Sequence, residues 1–275
     1  MKTEVRFSLA VSEEILGDSA PVLLQGGLSK AFVSAAHLGF DAVEIHIRNP
    51  DTFDADKLAD EAYRSHIAVS AIGTGLEHTL NGYDLAADDE DLRQETADRF
   101  REYIDLGARL DATVFVGLCR GKAPDAEEVP RYLDRFASEL VPLASYAEAA
   151  GATLSLEPIA RYMTNLLTTT RETLEFLERP GLESVLLLMD THHMILEDDD
   201  MHAAFLSCEG RIGHVHISDS DRKYPGSGEI DFAMVGEVLK QIGYDQAVSL
   251  EILPLPDGEA AAGIGLKWMQ SVWTR

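Results

Sequence analysis

Eight short β-rich runs recur along the 275-residue chain with longer helical patterns between them, and this alternation limits the possible folds more than any other feature. The runs are RFSLAV (6–11), AVEIHI (42–47), IAVSAIG (67–73), ATVFVGL (112–118), TLSLE (153–157), VLLLMD (185–190), GHVHIS (213–218) and AVSLEIL (247–253). After Glu127, the residues Val129, Leu133, Phe136, Leu140, Leu143 and Ala147 keep helical spacing, and after Asp89 a second stripe carries Leu92, Thr96, Phe100, Tyr103 and Leu106. No Pro/Gly/Ser linker or break in composition interrupts the series. It predicts an α/β fold, a closed parallel (β/α)8 TIM barrel, as a single domain over residues 1–275. A doubly wound open sheet is the alternative, but Val11-Ser12-Glu13-Glu14 follows the first strand where that fold would carry a glycine-rich phosphate loop.

The tripeptide Ser-Leu-Glu closes two of these runs, ending in Glu157 and Glu251. A carboxylate buried alone at a strand end would shift its pKa until neutral, so each needs compensation. Side chains alternate across a strand, which puts Thr153, Ser155 and Glu157 on one face and Leu154 and Leu156 on the other. The same parity sets Ser249 and Glu251 opposite Val248 and Leu250. Large apolar side chains of a barrel pack outward against helices, so both glutamates turn inward, at the strand ends where barrel enzymes build their sites.

Asp190 closes the sixth run and His216 stands near the end of the seventh. Four consecutive strands therefore bring Glu157, Asp190, His216 and Glu251 to one rim. One such acid alone would read as a helix cap or salt-bridge partner; four in register read as a divalent-cation site, because the cation compensates charges that could not otherwise be buried together. Oxygen-rich ligation with one imidazole favours Mn²⁺, Mg²⁺ or Co²⁺ over a structural zinc. His214, one layer deeper, is expected as a hydrogen-bonded core histidine, His192 as structural or exposed, and Cys119 as a small packed residue. Glu44 and His46 point inward on the second strand, either lining the pocket or filling the barrel.

Lys plus Arg total 23 against 48 Asp plus Glu, a formal net charge of −25. That field repels phosphate backbones and anionic membranes, so neither a nucleic acid nor a membrane is an expected partner. No run of about eighteen apolar residues is present to span a bilayer. Cys119 and Cys208 are too few for a disulfide framework or a thiolate zinc site, which makes a reducing cytoplasm the expected compartment. The start, MKTEVRFSLAV, has its apolar stretch preceded by Glu4 and Arg6 and reads as neither a signal peptide nor an anchor. The acidic run Glu197-Asp198-Asp199-Asp200 is expected as a solvated helix N-terminus.

The stretches S-L-E-P-I-A-R-Y (155–162), M-D-T-H-H-M (189–194), H-V-H-I-S-D-S-D-R-K-Y-P-G-S-G-E-I-D-F (214–232) and S-L-E-I-L-P (249–254) together resemble the xylose-isomerase-like sugar isomerases and epimerases. Within that group the chain is most similar to ketose 3-epimerases of the 5-keto-L-gluconate epimerase and D-tagatose 3-epimerase type, a similarity that AIGTG (71–75) and GLCRG (117–121) extend. The resemblance implies that Glu157, Asp190, His216 and Glu251 hold one divalent ion, Mn²⁺ first among the candidates. It implies further that the two glutamates exchange protons with a ketose or keto-sugar acid, and that His193 and Arg222 bind substrate oxygens. Arg222 has a loop salt bridge with Asp219 or Asp221 as its alternative, and His193 a supporting role behind the ligands. Arg120 and Lys122, at the exit of the fourth strand, are candidates for binding a carboxylate or phosphate on the sugar. A homodimer or a homotetramer is compatible with the resemblance.

The chain departs from the family where Ala160-Arg161-Tyr162-Met163 stands in place of the usual Asn-Arg-Tyr-Glu, and where Ile195 replaces a common Asn. Both changes are toward apolar residues, so the substrate is expected to be less hydroxylated on that side or differently oriented. An aldose–ketose isomerase and a catalytically drifted sugar-binding protein remain as alternatives. A DNA-repair endonuclease of this fold would need further metal-binding histidines, absent from Gly73-Thr74-Gly75, Gly117-Leu118-Cys119 and Asp221-Arg222-Lys223. The long segments 73–90 and 217–231 are expected to cover the pocket.

Overall fold

Eight parallel strands close on themselves in the computed structural model, which describes residues 5–273. Met1 to Glu4, part of the N-terminal stretch considered above, and Thr274 and Arg275 lie outside the described residues. The barrel strands are β1 (Arg6–Ser12), β2 (Ala42–His46), β3 (Ala68–Gly73), β4 (Thr113–Val116), β5 (Leu154–Leu156), β6 (Leu186–Asp190), β7 (Ile212–Ile217) and β8 (Ala247–Leu250). Each pairs with its sequence neighbour, and β1 pairs on both flanks, with β2 from Ser8↔Ala42 to Ser12↔His46 and with β8 from Arg6↔Ala247 to Leu9↔Leu250. A two-residue strand, Leu24–Gln25, continues along Val11 and Ser12 beyond the point where β8 stops.

The parity argument accounts for the two sides of the wall. Leu154, Leu156, Val248 and Leu250 join the continuous apolar layer between strands and helices. Inside the barrel a small separate cluster of Ala71, Phe115 and Leu188 remains, beside buried Ser8, Ser70, Ser155 and Ser249. Around the wall run α1 (Leu28–Leu38), α2 (Ala55–Ser65), α3 (Glu90–Leu110), α4 (Val129–Ala150), α5 (Thr170–Leu177), α6 (Thr191–Glu197), α7 (Met201–Ser207), α8 (Phe232–Gln241) and α9 (Gly258–Trp273). The two helices read from periodicity are α3 and α4. Asp89 caps α3 by accepting from the Asp91 amide, and Thr169 with Glu172 forms a capping box on α5. Phe136 of α4 stacks on Phe176 of α5 with centroids 5.3 Å apart. No helix among the described residues is long and apolar enough to cross a membrane.

Three local differences from the sequence expectation matter for the site. The fourth strand ends at Val116, because Gly117 turns the chain into a 3-10 turn, Leu118–Arg120. Glu157 and Glu251 each lie one residue beyond the last ladder position of β5 and β8. The acidic run is not a uniformly solvated helix start. Glu197 pairs with Arg161, and Asp198 accepts from the Thr170 amide at 3.0 Å and its hydroxyl at 2.6 Å; Asp200 alone caps α7, through the Ala203 amide.

Both long loops are tied down by specific bonds. In the first, Leu85 is buried and its amide donates to the Cys119 carbonyl at 2.8 Å. In the second, the Asp219 carboxylate accepts from the amides of Ser220, Gly226 and Ile230 at 2.8, 2.8 and 3.1 Å. Glycine is required in this turn: Gly226 has φ 89°, and a Cβ on Gly228 would stand 2.5 Å from Asp219 Oδ1. The P-G-x-G motif is thus the sequence trace of a loop wrapped on one carboxylate.

Candidate active site

His216 Nδ1 is the centre of the site. It lies 3.3 Å from Glu251 Oε2, 3.5 Å from Glu157 Oε1 and 3.6 Å from Asp190 Oδ2. These are long for hydrogen bonds, and Nδ1 has no hydrogen-bond partner although it is buried. One ligand atom from each of the four residues falls within 4.8 Å of every other, and all four residues are buried. A divalent cation fits this set, since it would engage the unpartnered nitrogen and neutralise three carboxylates together.

The electrostatics of the same cluster point the same way. Burial disfavours an imidazolium, yet the charges of Glu44 and Glu251 and the nearby carboxylates of Asp190 and Glu157 raise His216 well above the ordinary histidine value. Burial raises Glu157, and the charges of Glu251 and Asp190 raise it further. For Asp190 and Glu251 burial is outweighed by Arg222, which lowers both, with His193 and His216 respectively adding to the effect. The surrounding carboxylates thus favour positive charge at His216, and a divalent cation would supply it.

Each member of the cluster is placed by its element. Asp190 ends β6 and also caps α6, its Oδ1 accepting from the His192 amide at 2.8 Å while Oδ2 faces His216. That cap sets His193 one turn on, where its Nε2 is 3.8 Å from Asp190 Oδ2 and its buried Nδ1 has no partner. Burial is the main reason the His193 pKa is lowered to about 4. His193 is therefore a neutral imidazole at neutral pH, able to donate a hydrogen bond.

Arg222 pairs with the site and not with its own loop. Its Nη1 donates to Asp190 Oδ2 at 2.6 Å and to Ser218 Oγ at 3.1 Å, and its Nη2 donates to Glu251 Oε2. Asp219 is occupied by loop amides, and Asp221 by Lys223 and Ser227. Arg222 adopts φ 60°, the left-handed conformation that turns its side chain back over the rim.

Arg120 is a correction. Expected on the rim as a substrate-binding cation, its side chain is 0% exposed and points into the protein. It donates to the carbonyl of Gly117 at 3.0 Å, to those of Leu166 and Leu167 at 3.4 and 3.2 Å, and to that of Glu157. Burial lowers its pKa to about 10, with the Glu157 charge opposing. The 3-10 turn after Gly117 carries the guanidinium beneath the β5 exit, where it supports the backbone that bears Glu157. Lys122 keeps an exposed position in the same loop.

His214 is a hydrogen-bonded core residue, with Nε2 2.7 Å from Glu44 Oε2. His192 is partly buried and its Nδ1 contacts the Asp219 carbonyl at 3.3 Å. Cys119 is buried and its thiol is raised to about 12 by burial, which leaves no thiolate for nucleophilic chemistry. Two features escape a reading of strand ends alone. Tyr162 sets its ring 6.4 Å from that of His193 and so forms part of the rim. Glu44 contacts three histidines at once, His46, His214 and His216; the inward parity shared by V-E-I-H and H-V-H is the only sequence signal for it.

The chain belongs to the xylose isomerase-like TIM barrel family, whose model matches residues 32–272. It is 32% identical over 233 residues to an L-ribulose 3-epimerase of Mesorhizobium japonicum, covering 82% of this chain and 76% of that one. It is 30% identical over 238 residues to a ketose 3-epimerase of Arthrobacter globiformis, covering 82% and 77%. The fold superposes on the crystal structure of a D-psicose 3-epimerase with D-tagatose from Clostridium cellulolyticum H10, with a TM-score of 0.82 at 20% identity over 98% and 99% of the two chains.

Proposed function

We propose that this chain is a divalent-metal-dependent sugar epimerase, inverting the carbon beside the carbonyl of a ketose or keto-sugar acid, with Mn²⁺ as the preferred ion. The observation that carries the reading is that Glu157 and Glu251 both flank His216 Nδ1 while leaving the barrel from β5 and β8, with the two strands β6 and β7 between them. Named 3-epimerases among the relatives support the reaction class.

Glu157, Asp190, His216 and Glu251 would hold the ion. When bound, it polarises the carbonyl and makes the neighbouring proton removable. One glutamate takes that proton from one face of the sugar, and the other returns a proton to the opposite face. Arg222 holds the oxygen on which negative charge develops, and neutral His193 donates to an adjacent oxygen. Met163 and Ile195 are 37% and 42% exposed and Tyr162 sets its ring beside His193, which supports an apolar edge toward the substrate where the family usually offers Glu and Asn. That edge suits a sugar with fewer hydroxyls to satisfy there.

The test is an NMR screen in deuterated water of Mn²⁺-supplemented enzyme with L-ribulose, D-psicose, D-tagatose and keto-uronates. Deuterium at the inverted carbon next to an intact carbonyl supports epimerisation. Deuterium at a former carbonyl carbon assigns aldose–ketose isomerisation instead. Binding without exchange into any sugar would leave a sugar-binding protein and overturn both.

A further inference from the structure

Glu44 is a fully buried carboxylate, 0% exposed, with imidazoles as its side-chain hydrogen-bond partners. Its Oε1 is 2.7 Å from His46 Nε2, and its Oε2 is 2.7 Å from His214 Nε2 and 3.0 Å from His216 Nε2. An ionised carboxylate only accepts, so contacts this short to an ionised Glu44 require the proton of each ring on Nε2. For a neutral ring this leaves the lone pair on Nδ1, and in His216 that is the atom aimed at Glu157, Asp190 and Glu251. The His216 ring is also held edge-on by Phe115 at 5.3 Å and by His214 at 5.4 Å, so it has little freedom to turn.

The group of Glu44 with His214 and His216, and that of Glu44 with His46 and Glu251, also bring cation-ligand atoms together. Neither fits an ion as well. Their nitrogens lie at hydrogen-bond distance from Glu44 itself, which requires N–H groups there and leaves no lone pairs converging on a common point.

We propose that Glu44 is a positioning residue for the metal centre: by accepting the Nε2–H of His216 it fixes the tautomer that presents Nδ1 to the ion, while His46 and His214 hold Glu44 in place. The inference rests on the metal-dependent reading of the site. A carboxylate behind a ligating imidazole sets ring orientation and raises ligand basicity, and its loss typically costs about 10–100-fold in metal affinity.

Mn²⁺ titration followed by electron paramagnetic resonance tests this in wild type, Glu44→Met and His46→Gln. Glu44→Met is expected to weaken Mn²⁺ binding by about 10–100-fold, whereas His46→Gln, whose side-chain amide can still donate to Glu44 Oε1 and so keep Glu44 in place, changes it by less than about 3-fold. Unchanged affinity in Glu44→Met overturns the proposal alone; a wild-type chain that binds no Mn²⁺ overturns the metal site as well. Should Glu44→Met fail to fold, ¹⁵N NMR of the histidine rings in the Mg²⁺-loaded wild type decides. A single ring proton on Nε2 of His216 supports the assignment, and a proton on Nδ1 overturns it.

Discussion

The guanidinium of Arg120 donates to the main-chain carbonyl of Glu157, so the residue proposed to bear one of the proton-transfer carboxylates is held from behind by a buried cation. Lysine cannot reproduce the fork that also reaches Gly117, Leu166 and Leu167. Arg120→Lys is expected to destabilise the chain by about 3 kcal/mol, because it leaves one or two buried carbonyls unpaired. Urea unfolding measures this; a change within error would mean that the carbonyls find other donors.

Glu157→Gln and Glu251→Gln each remove a proton acceptor while keeping side-chain volume. Turnover should fall by about 100-fold or more in both, the range for loss of a positioned acid or base. Circular dichroism and the melting temperature should stay near wild type, since neither side chain contributes to the apolar layer. Full activity in either variant contradicts the two-carboxylate scheme.

Dialysis against a chelator should abolish turnover, and added Mn²⁺ should restore it. The ion should also stabilise the fold, by about 2.7 kcal/mol when its concentration is 100 times its dissociation constant. Differential scanning calorimetry of stripped and reloaded protein reads the stabilisation, and an activity assay on the same samples reads the turnover. Retained turnover in protein shown by elemental analysis to be metal-free rules out this chemistry.

The buried His193 imparts a pH dependence whose sign follows from its shift. The unfolded chain takes up this proton near 6.5 and the folded chain only near 4, so the stability it contributes is complete above about 6.5 and is lost as the pH falls toward 4. Between pH 7.5 and pH 5, metal-free wild type should therefore lose more unfolding free energy than His193→Gln. Equal losses in denaturant titrations at the two pH values would show that the imidazole protonates freely in the folded state.

Much of the barrel and the meeting of Glu157, Asp190, His216 and Glu251 is legible because both depend on local rules. Period-two alternation fixes the inward face of TLSLE and AVSLE, and a strand end fixes the height of Glu157, Asp190 and Glu251 on the rim. Arg120 was not legible, because its position depends on the carbonyls of Leu166 and Leu167, more than forty residues on, accepting it beneath the rim. The orientation of Arg222 was only half so. The motif marks it as a site residue, but its pairing with Asp190 depends on Asp219 being occupied by amides of its own loop. Glu44 and His216 stand 172 residues apart, and nothing in either segment alone announces that they meet.

The pairing of β1 with β8 has a consequence for how the protein is made. The first strand obtains its second neighbour only after residue 250 has been synthesised, a contact of very long sequence separation whose loop-closure entropy slows folding. Glu251 is carried on that same late strand. Ring closure and the arrival of Glu251 are thus one event, so a nascent or truncated chain lacking β8 has neither a sealed barrel nor the third carboxylate beside His216.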